Sequence, residues 1–259
     1  MKVSIIVPVY NSSKILPKLL KLINFYLKNK KIKFQVILIN DGSVDNSWDI
    51  ILNLKKKYKF LKGLNLNKNY GQHSAIYAGL KFATGKYIIC MDDDLQHHPK
   101  YLLSILDKLE NGFDSCYVKY LDRQHNIFKK TLSNLNHLFS LYIMRRSSGI
   151  YTSSFKGFND KVKKKIKKIN NRIFLDYSII KYSKSISYVV VKHFKRLNGK
   201  SNYGFKQLLQ LWSDNIFILP LGNNFKSFLI VLIRAFLILF FKNILILKKD
   251  NKIHIKNVV

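Results

Sequence analysis

A chain of 259 residues with 47% hydrophobic content can bury one substantial core with a short appendage, and it is too short for two domains of full size. Lys+Arg 46 against Asp+Glu 14 gives a net charge of +32, which attracts nucleic acid, an anionic membrane surface or phosphorylated substrates, and much of the lysine excess is ordinary solvated surface. Cys90 and Cys116 sit in apolar runs without metal-type spacing, which excludes a zinc module and a disulfide framework and suits reduced core thiols that are not nucleophiles.

In chain order, Val3 to Val9 reads as a strand. It runs into Tyr10-Asn11 rather than a small-residue cleavage site, so it is not expected to be a secretory signal. Asn11-Ser12-Ser13 offers caps for a helix carrying Leu16, Leu19, Leu20, Ile23 and Leu27 on one face. Phe34 to Asn40 is a second apolar strand, ending in Asp41-Gly42-Ser43, with a helix from about Ser47 to Tyr58. A third strand near Leu64 precedes a helix from Gln72 to Ala83. Alternation of this kind predicts an α/β fold, a mostly parallel sheet with flanking helices, whose strand tips bring Tyr10, Asp41 and Asp92 to one edge. Taken alone, Asp41 is equally well a turn residue in Asp-Gly-Ser.

Tyr87 to Met91 is a buried strand that ends in Asp92-Asp93-Asp94-Leu95-Gln96-His97. Three adjacent carboxylates raise one another's pKa unless a cation neutralises them, and hard oxygen ligands select Mg²⁺ or Mn²⁺. The competing interpretation is a polar turn in which Asp94 caps the helix that Pro99 opens, but a cap needs one Asp. His97 and His98 are read as neutral helix-start residues rather than ligands. Asp114 to Tyr120 is a further strand, Lys161 to Lys168 a short helix with a basic face, and Ile173 to Tyr182 an apolar helical stretch.

Together these motifs resemble the inverting glycosyltransferases of family 2 with the Rossmann-like GT-A fold, and within them the polyprenyl-phosphate sugar transferases related to dolichyl-phosphate mannose synthase. Pro8-Val9-Tyr10-Asn11 is similar to the family's first nucleotide-binding turn and Asp41 to Ser47 to its second. Asn69 to Ala75, with Ala78-Gly79-Leu80, resembles the loop and helix that follow, and Met91 to His97 the donor-and-metal motif. Thr152 to Lys156 and His193 to Tyr203 resemble two later motifs, so the likeness covers roughly residues 1 to 221. Three positions depart from the pattern: Ser12 for the usual Glu, Asn40 for a first Asp, and Asn202 for a Lys facing the donor diphosphate.

The resemblance implies transfer of a sugar from a nucleotide sugar with inversion. Asp92, Asp94 and Gln96 are the implied metal ligands, and Arg196 adds fixed positive charge toward the leaving diphosphate. Pro8, Tyr10, Asn11, Asp41, Asp93 and Ser201 are the implied donor contacts. A lipid phosphate is already ionised at pH 7 and needs cations, whereas a hydroxyl acceptor needs a general base. The groups between the carboxylates and Arg196 are mainly cationic: Arg123, Lys129, Lys130, Arg145, Arg146 and Lys156. This favours polyprenyl phosphate as acceptor, with Arg123 and Lys156 as its contacts. The alternative is a hydroxyl of a surface glycan with Asp176 as base, Asp160 being read as a helix cap. A nucleic-acid-binding protein is a third class, but zinc spacing, a helix-turn-helix and an aromatic-basic RNA motif are all absent from the sequence.

Residues 222–259 are expected to form an apolar, basic, membrane-associated tail. Phe225 to Leu247 is long enough to span a bilayer. Arg234 lies at its middle, at a cost of roughly 2.5 to 3.5 kcal/mol on insertion scales. Lys226, Arg234 and Lys242 fall within an arc of roughly 160° at helical spacing. That pattern predicts a helix lying in the cytoplasmic membrane interface, with a single tilted span as the other arrangement.

Overall fold

The computed structural model describes residues 2–120, 150–167, 175–191 and 253–259. Eight strands form one sheet: β1 (Val3–Val9), β2 (Phe34–Asn40), β3 (Leu61–Leu66), β4 (Tyr87–Cys90), β5 (Ser115–Tyr120), β6 (Lys156–Asn159), β7 (Ile186–Val191) and β8 (Ile255–Val258), in the order β7-β5-β6-β4-β1-β2-β3-β8. The helices are α1 (Leu16–Asn29), α2 (Ser47–Lys57), α3 (Gln72–Phe82), α4 (Leu102–Glu110), α5 (Asp160–Lys167) and α6 (Leu175–Tyr182), with a 3-10 turn at Pro99–Tyr101.

The parallel expectation holds for the nucleus of the sheet. β4, β1, β2 and β3 are all parallel, and each is joined to the next by a helix. β6 and β8 run antiparallel to their neighbours, so the whole sheet is mixed. β1 and β2 are buried at every residue, as strands covered on both faces must be, and this is why they read as unbroken apolar runs. One core lies between the sheet and α1, α2 and α4. The other lies between the sheet and α3, α5 and α6.

Pro8 has no N–H to donate toward β4, and the ladder between β1 and β4 ends with Met91 N–H donating to the Ile6 carbonyl. Gly79 lets α3 approach the sheet, since a Cβ there would lie 2.9 Å from both Ile39 and Ile6.

Three local expectations change. Ile15, not the Asn11 to Ser13 turn, precedes α1, and it makes no side-chain cap. The cap before Pro99 is His98, whose Nδ1 accepts from Lys100 N–H at 3.2 Å, while Asp94 accepts from Gln96 N–H at 3.0 Å. Asn159, not Asp160, accepts from Val162 N–H at 3.0 Å, and Asp160 pairs with Lys163 and Lys164 at 2.6 and 2.7 Å. Residues 255–258, expected within the tail, belong to the sheet as β8. The boundary near residue 221 and the stretch 225–247 lie outside the described residues. Among the described residues, no helix is long and apolar enough to cross a membrane.

Candidate active site

The carboxyl ends of β1, β2 and β4 carry three turns that are hydrogen-bonded together. The turn after β1 reaches across to the one after β2. Asn11 N–H donates to Ser43 Oγ at 3.0 Å, Ser12 N–H to Ser47 Oγ at 2.9 Å, and Ser13 N–H to Asp45 at 3.1 Å. Val44 N–H donates back to Asn11 Oδ1 at 2.9 Å. Asn11 holds a left-handed backbone with φ 54, a conformation that Asn tolerates better than most residues. Burial alone would raise the Asp45 carboxyl, but hydrogen bonds from Ser47 and Ser13 hold it below its ordinary value.

Asp41 is 3% exposed, and its two oxygens accept from Tyr70 N–H at 2.7 Å and Gly71 N–H at 2.8 Å. The carboxylate fixes the loop after β3 against the turn after β2. Gly42 is required beside it. At φ +67, an added Cβ would sit 2.5 Å from backbone atoms of Lys68 and Asn69. Tyr10, in the turn after β1, is 38% exposed.

The carboxylates follow β4. Asp92 Oδ1 accepts from Gln72 Nε2 at 2.5 Å, and Oδ2 from Ser154 Oγ at 2.7 Å. Its N–H points to His97 Nδ1 at 3.4 Å. The His97 ring lies stacked beside both Tyr120 and Phe155, so His97 belongs to the floor under Asp92. Asp93 accepts from Tyr10 N–H at 3.2 Å, which links the β1 and β4 turns. Burial is the main reason that Asp93 is pushed up to about 7. A Ser12 hydrogen bond and the Tyr10 N–H oppose it, and the charges of Asp92 and Asp94 add to it. Leu95 takes a left-handed backbone with φ 61 to turn the chain here, the sort of strain that tightly packed sites sustain.

These groups fit a divalent cation. Asp93 is raised above its ordinary value chiefly by burial, with the charges of Asp92 and Asp94 adding to it, and the candidate ligands Asp92, Asp94 and Gln96 offer hard oxygen. Among the described residues, no three His, Cys, Asp or Glu side chains converge. Two carboxylates are nevertheless a usual protein share for Mg²⁺, which takes its remaining ligands from water and substrate phosphate. Cys90, directly beneath, is fully buried, and burial pushes its thiol up to about 12; the Cys116 thiol is likewise raised to about 12. Neither is a thiolate at neutral pH.

Lys156, expected at the acceptor, is 2% exposed on β6, and its Nζ lies 2.5 Å from Asp176 on α6, which also accepts from Tyr117 Oη at 3.0 Å. Each of the two residues thus has a buried partner in the other. Gln72 and Ser154 are the residues that sequence reasoning missed. Both fall inside motifs it had singled out, but nothing in their type or spacing assigns them to Asp92. Arg123, Arg196 and Ser201 lie outside the described residues.

A mixed α/β sheet with hydrogen-bonded turns at its carboxyl edge, beside adjacent carboxylates, is the architecture of the GT-A-like class of folds. The chain belongs to glycosyl transferase family 2, whose family model matches residues 4–168. It is 30% identical over 215 residues to undecaprenyl-phosphate 4-deoxy-4-formamido-L-arabinose transferase of Photorhabdus laumondii, and 28% identical to the enzyme of the same name from Salmonella choleraesuis. Each match covers 82% of this chain, which spans 66% of each relative's length. Among solved structures, glucosyl-3-phosphoglycerate synthase from Mycobacterium tuberculosis, in complex with Mn²⁺, uridine diphosphate and phosphoglyceric acid, matches with a TM-score of 0.64 at 11% identity. That match covers 86% of this chain and 80% of the synthase and establishes likeness of fold.

Proposed function

We propose that the chain is an inverting glycosyltransferase that moves a sugar from a nucleotide sugar to a membrane lipid phosphate, of the polyprenyl phosphate class, for assembly or modification of cell-surface glycan or lipopolysaccharide. The observation that carries this reading is the union of the three turns. Tyr10, Asn11 and the loop held by Asp41 stand within hydrogen-bond connection of Asp93, and through it of Asp92 and Asp94. Nucleoside, diphosphate and cation sites therefore share one sheet edge. The relatives named for undecaprenyl phosphate support the acceptor class.

In this reading the Pro8 to Asn11 turn and the Asp41-held loop receive base and ribose, and Asp93 and Ser201 complete the donor contacts. Asp92, Asp94 and Gln96 would hold the Mg²⁺ or Mn²⁺, whose chemistry is neutralisation of charge on the departing diphosphate. A lipid phosphate oxygen attacks the anomeric carbon from the face opposite the donor bond. The carbon–oxygen bond to the diphosphate breaks, and its electrons leave with the nucleoside diphosphate. Arg196 and Arg123 supply fixed positive charge to the leaving group and the acceptor respectively. No proton has to be taken from an ionised phosphate, and this agrees with the burial of Asp176 against Lys156. The tail associates with the cytoplasmic membrane surface, where such an acceptor lies. Nucleic acid is not a partner in this reading.

The test is to incubate membranes containing the protein with a panel of labelled nucleotide sugars and extract the lipid. One label entering the organic phase supports the reading. Label recovered only in water-soluble product overturns it.

A further inference from the structure

The helix α1 turns one face to the sheet and the other to solvent. Leu16, Leu19, Leu20, Ile23 and Leu27 are buried. Lys14, in the turn before the helix, and Lys18, Lys21, Phe25 and Lys28 along it are exposed. At about 100° per residue, the four helical positions fall within an arc of roughly 80°. The outward face is therefore a row of lysines around one aromatic ring, and Phe25 is 56% exposed.

This row differs from the rest of the lysine surface. α1 contains no acidic residue, and Lys14, Lys18, Lys21 and Lys28 make no ion pair, side-chain hydrogen bond or ring contact among the described residues. The lysines of α5 are engaged within the protein instead. Lys163 and Lys164 pair with Asp160, Lys167 Nζ donates to the Lys81 carbonyl at 3.4 Å, and Lys165 lies over the Tyr182 ring at 5.7 Å. A second element adds to the α1 face. Burial, and then the charges of Lys100 and Lys18, hold His98 below its ordinary value, so both ammonium groups stand near a ring that meets Tyr26 of α1 edge-on at 5.8 Å. Acidic groups return on the neighbouring elements, as Asp49 on α2 and Asp107 on α4, so the unbroken positive face is that of α1 and the 3-10 turn.

We propose that the outward face of α1, with Lys100 beside it, is a docking surface for the anionic phospholipid headgroups of a bilayer, and that Phe25 is the group that enters the interface. An aromatic ring among lysines suits this partner, because the ring leaves water while the ammonium groups stay at the level of the phosphates. A duplex nucleic acid would use the lysines and leave the ring in water. The surface needs neither the stretch 225–247 nor sugar transfer. Lys14 lies four residues after Tyr10, so docking brings the turn after β1 to the headgroups, the level at which a lipid phosphate is presented; that consequence alone rests on the proposed function.

The experiment uses the full chain. Lys21→Cys on α1 and Lys81→Cys on α3 are made separately and labelled with an environment-sensitive fluorophore. Both positions are exposed, on helices that cover opposite faces of the sheet, and the native Cys90 and Cys116 are buried. Phosphatidylcholine vesicles with or without phosphatidylglycerol are added in the absence of sugar donor. A blue shift is expected at position 21 and not at 81, and only on the vesicles with phosphatidylglycerol. A shift at 81, no shift at 21, or an equal shift on neutral vesicles overturns the proposal, as does an equal shift with duplex DNA in place of vesicles. In sedimentation with the same anionic vesicles, the triple variant Lys18→Gln, Lys21→Gln, Lys28→Gln is expected to partition on the order of 10²-fold less than the parent chain, with an unchanged circular dichroism spectrum. Undiminished partition overturns the surface. Neither readout involves transfer, so each succeeds or fails independently of the acceptor assignment.

Discussion

Asp92 receives hydrogen bonds from two separate parts of the chain, Gln72 at the start of α3 and Ser154 ahead of β6, and donates its own N–H to His97 Nδ1 at 3.4 Å. Such orientation matters because groups behind a metal ligand set its direction. Asp92→Asn and Asp94→Asn are expected to lower turnover by 10²-fold or more, the usual loss for a group that stabilises developing charge. The fold should survive, because both side chains lie at a strand terminus. Gln72→Ala should lose about 10- to 100-fold. Steady-state kinetics alongside thermal unfolding separate the cases: wild-type turnover in Asp94→Asn would remove it from the metal site.

The Lys156–Asp176 pair makes the opposite prediction. Lys156→Met leaves a buried carboxylate unpaired and should destabilise the protein by about 3 to 5 kcal/mol in urea denaturation. Adding Asp176→Leu should recover most of that loss. If Lys156 instead held the acceptor, the single variant would keep its stability and raise the acceptor KM.

At the level of elements, Asp114 ties three strands together. Its oxygens accept from Asn159 on β6 at 2.7 Å and from Lys184 N–H, just before β7, at 2.7 Å. Burial works to raise this carboxyl, but the hydrogen bonds from Lys184, Asn159 and Ser185 hold it below its ordinary value. A lowered folded pKa contributes stability that is fully present above the unfolded value near 3.9 and is lost as pH falls through the folded one. Asp114→Asn should therefore cost roughly 1 to 3 kcal/mol at pH 7. The gap to wild type should shrink as pH drops below about 4. A gap that stays constant in urea titrations across that range would contradict this account.

The same level shows what the sequence could reveal. β1, β2 and β4 are apolar runs buried on both faces, and the helices between them repeat at 3.6 residues, so their order follows from pattern alone. β6 is Lys-Gly-Phe-Asn. It offers neither alternation nor an apolar run, and its lysine is tolerated only because Asp176 meets it from a helix that follows it in the chain. β8 is likewise invisible, a short polar strand that becomes a strand because the β3 edge offers it hydrogen-bond partners. Within the site, the Asp92 and Asp94 positions were legible from three carboxylates at a strand end. The partners of Asp92, the structural duty of Asp41 and the left-handed Leu95 were not, because each depends on contacts between segments distant in sequence or on backbone geometry.

Across the whole molecule, the strands that carry the turns of Tyr10, Asp41 and Asp92 and the C-terminal β8 belong to one sheet, and the chain's net charge of +32 favours an anionic surface or ligand. In the proposed function the acceptor is a lipid phosphate and transfer needs a divalent cation. The purified chain, given the sugar donor, is offered polyprenyl phosphate or the corresponding polyprenyl alcohol, each with Mg²⁺ or Mn²⁺ and each with chelator. The account predicts labelled lipid from the phosphate with metal only, and none from the alcohol. Equal transfer to the alcohol, or undiminished transfer in chelator, would contradict it.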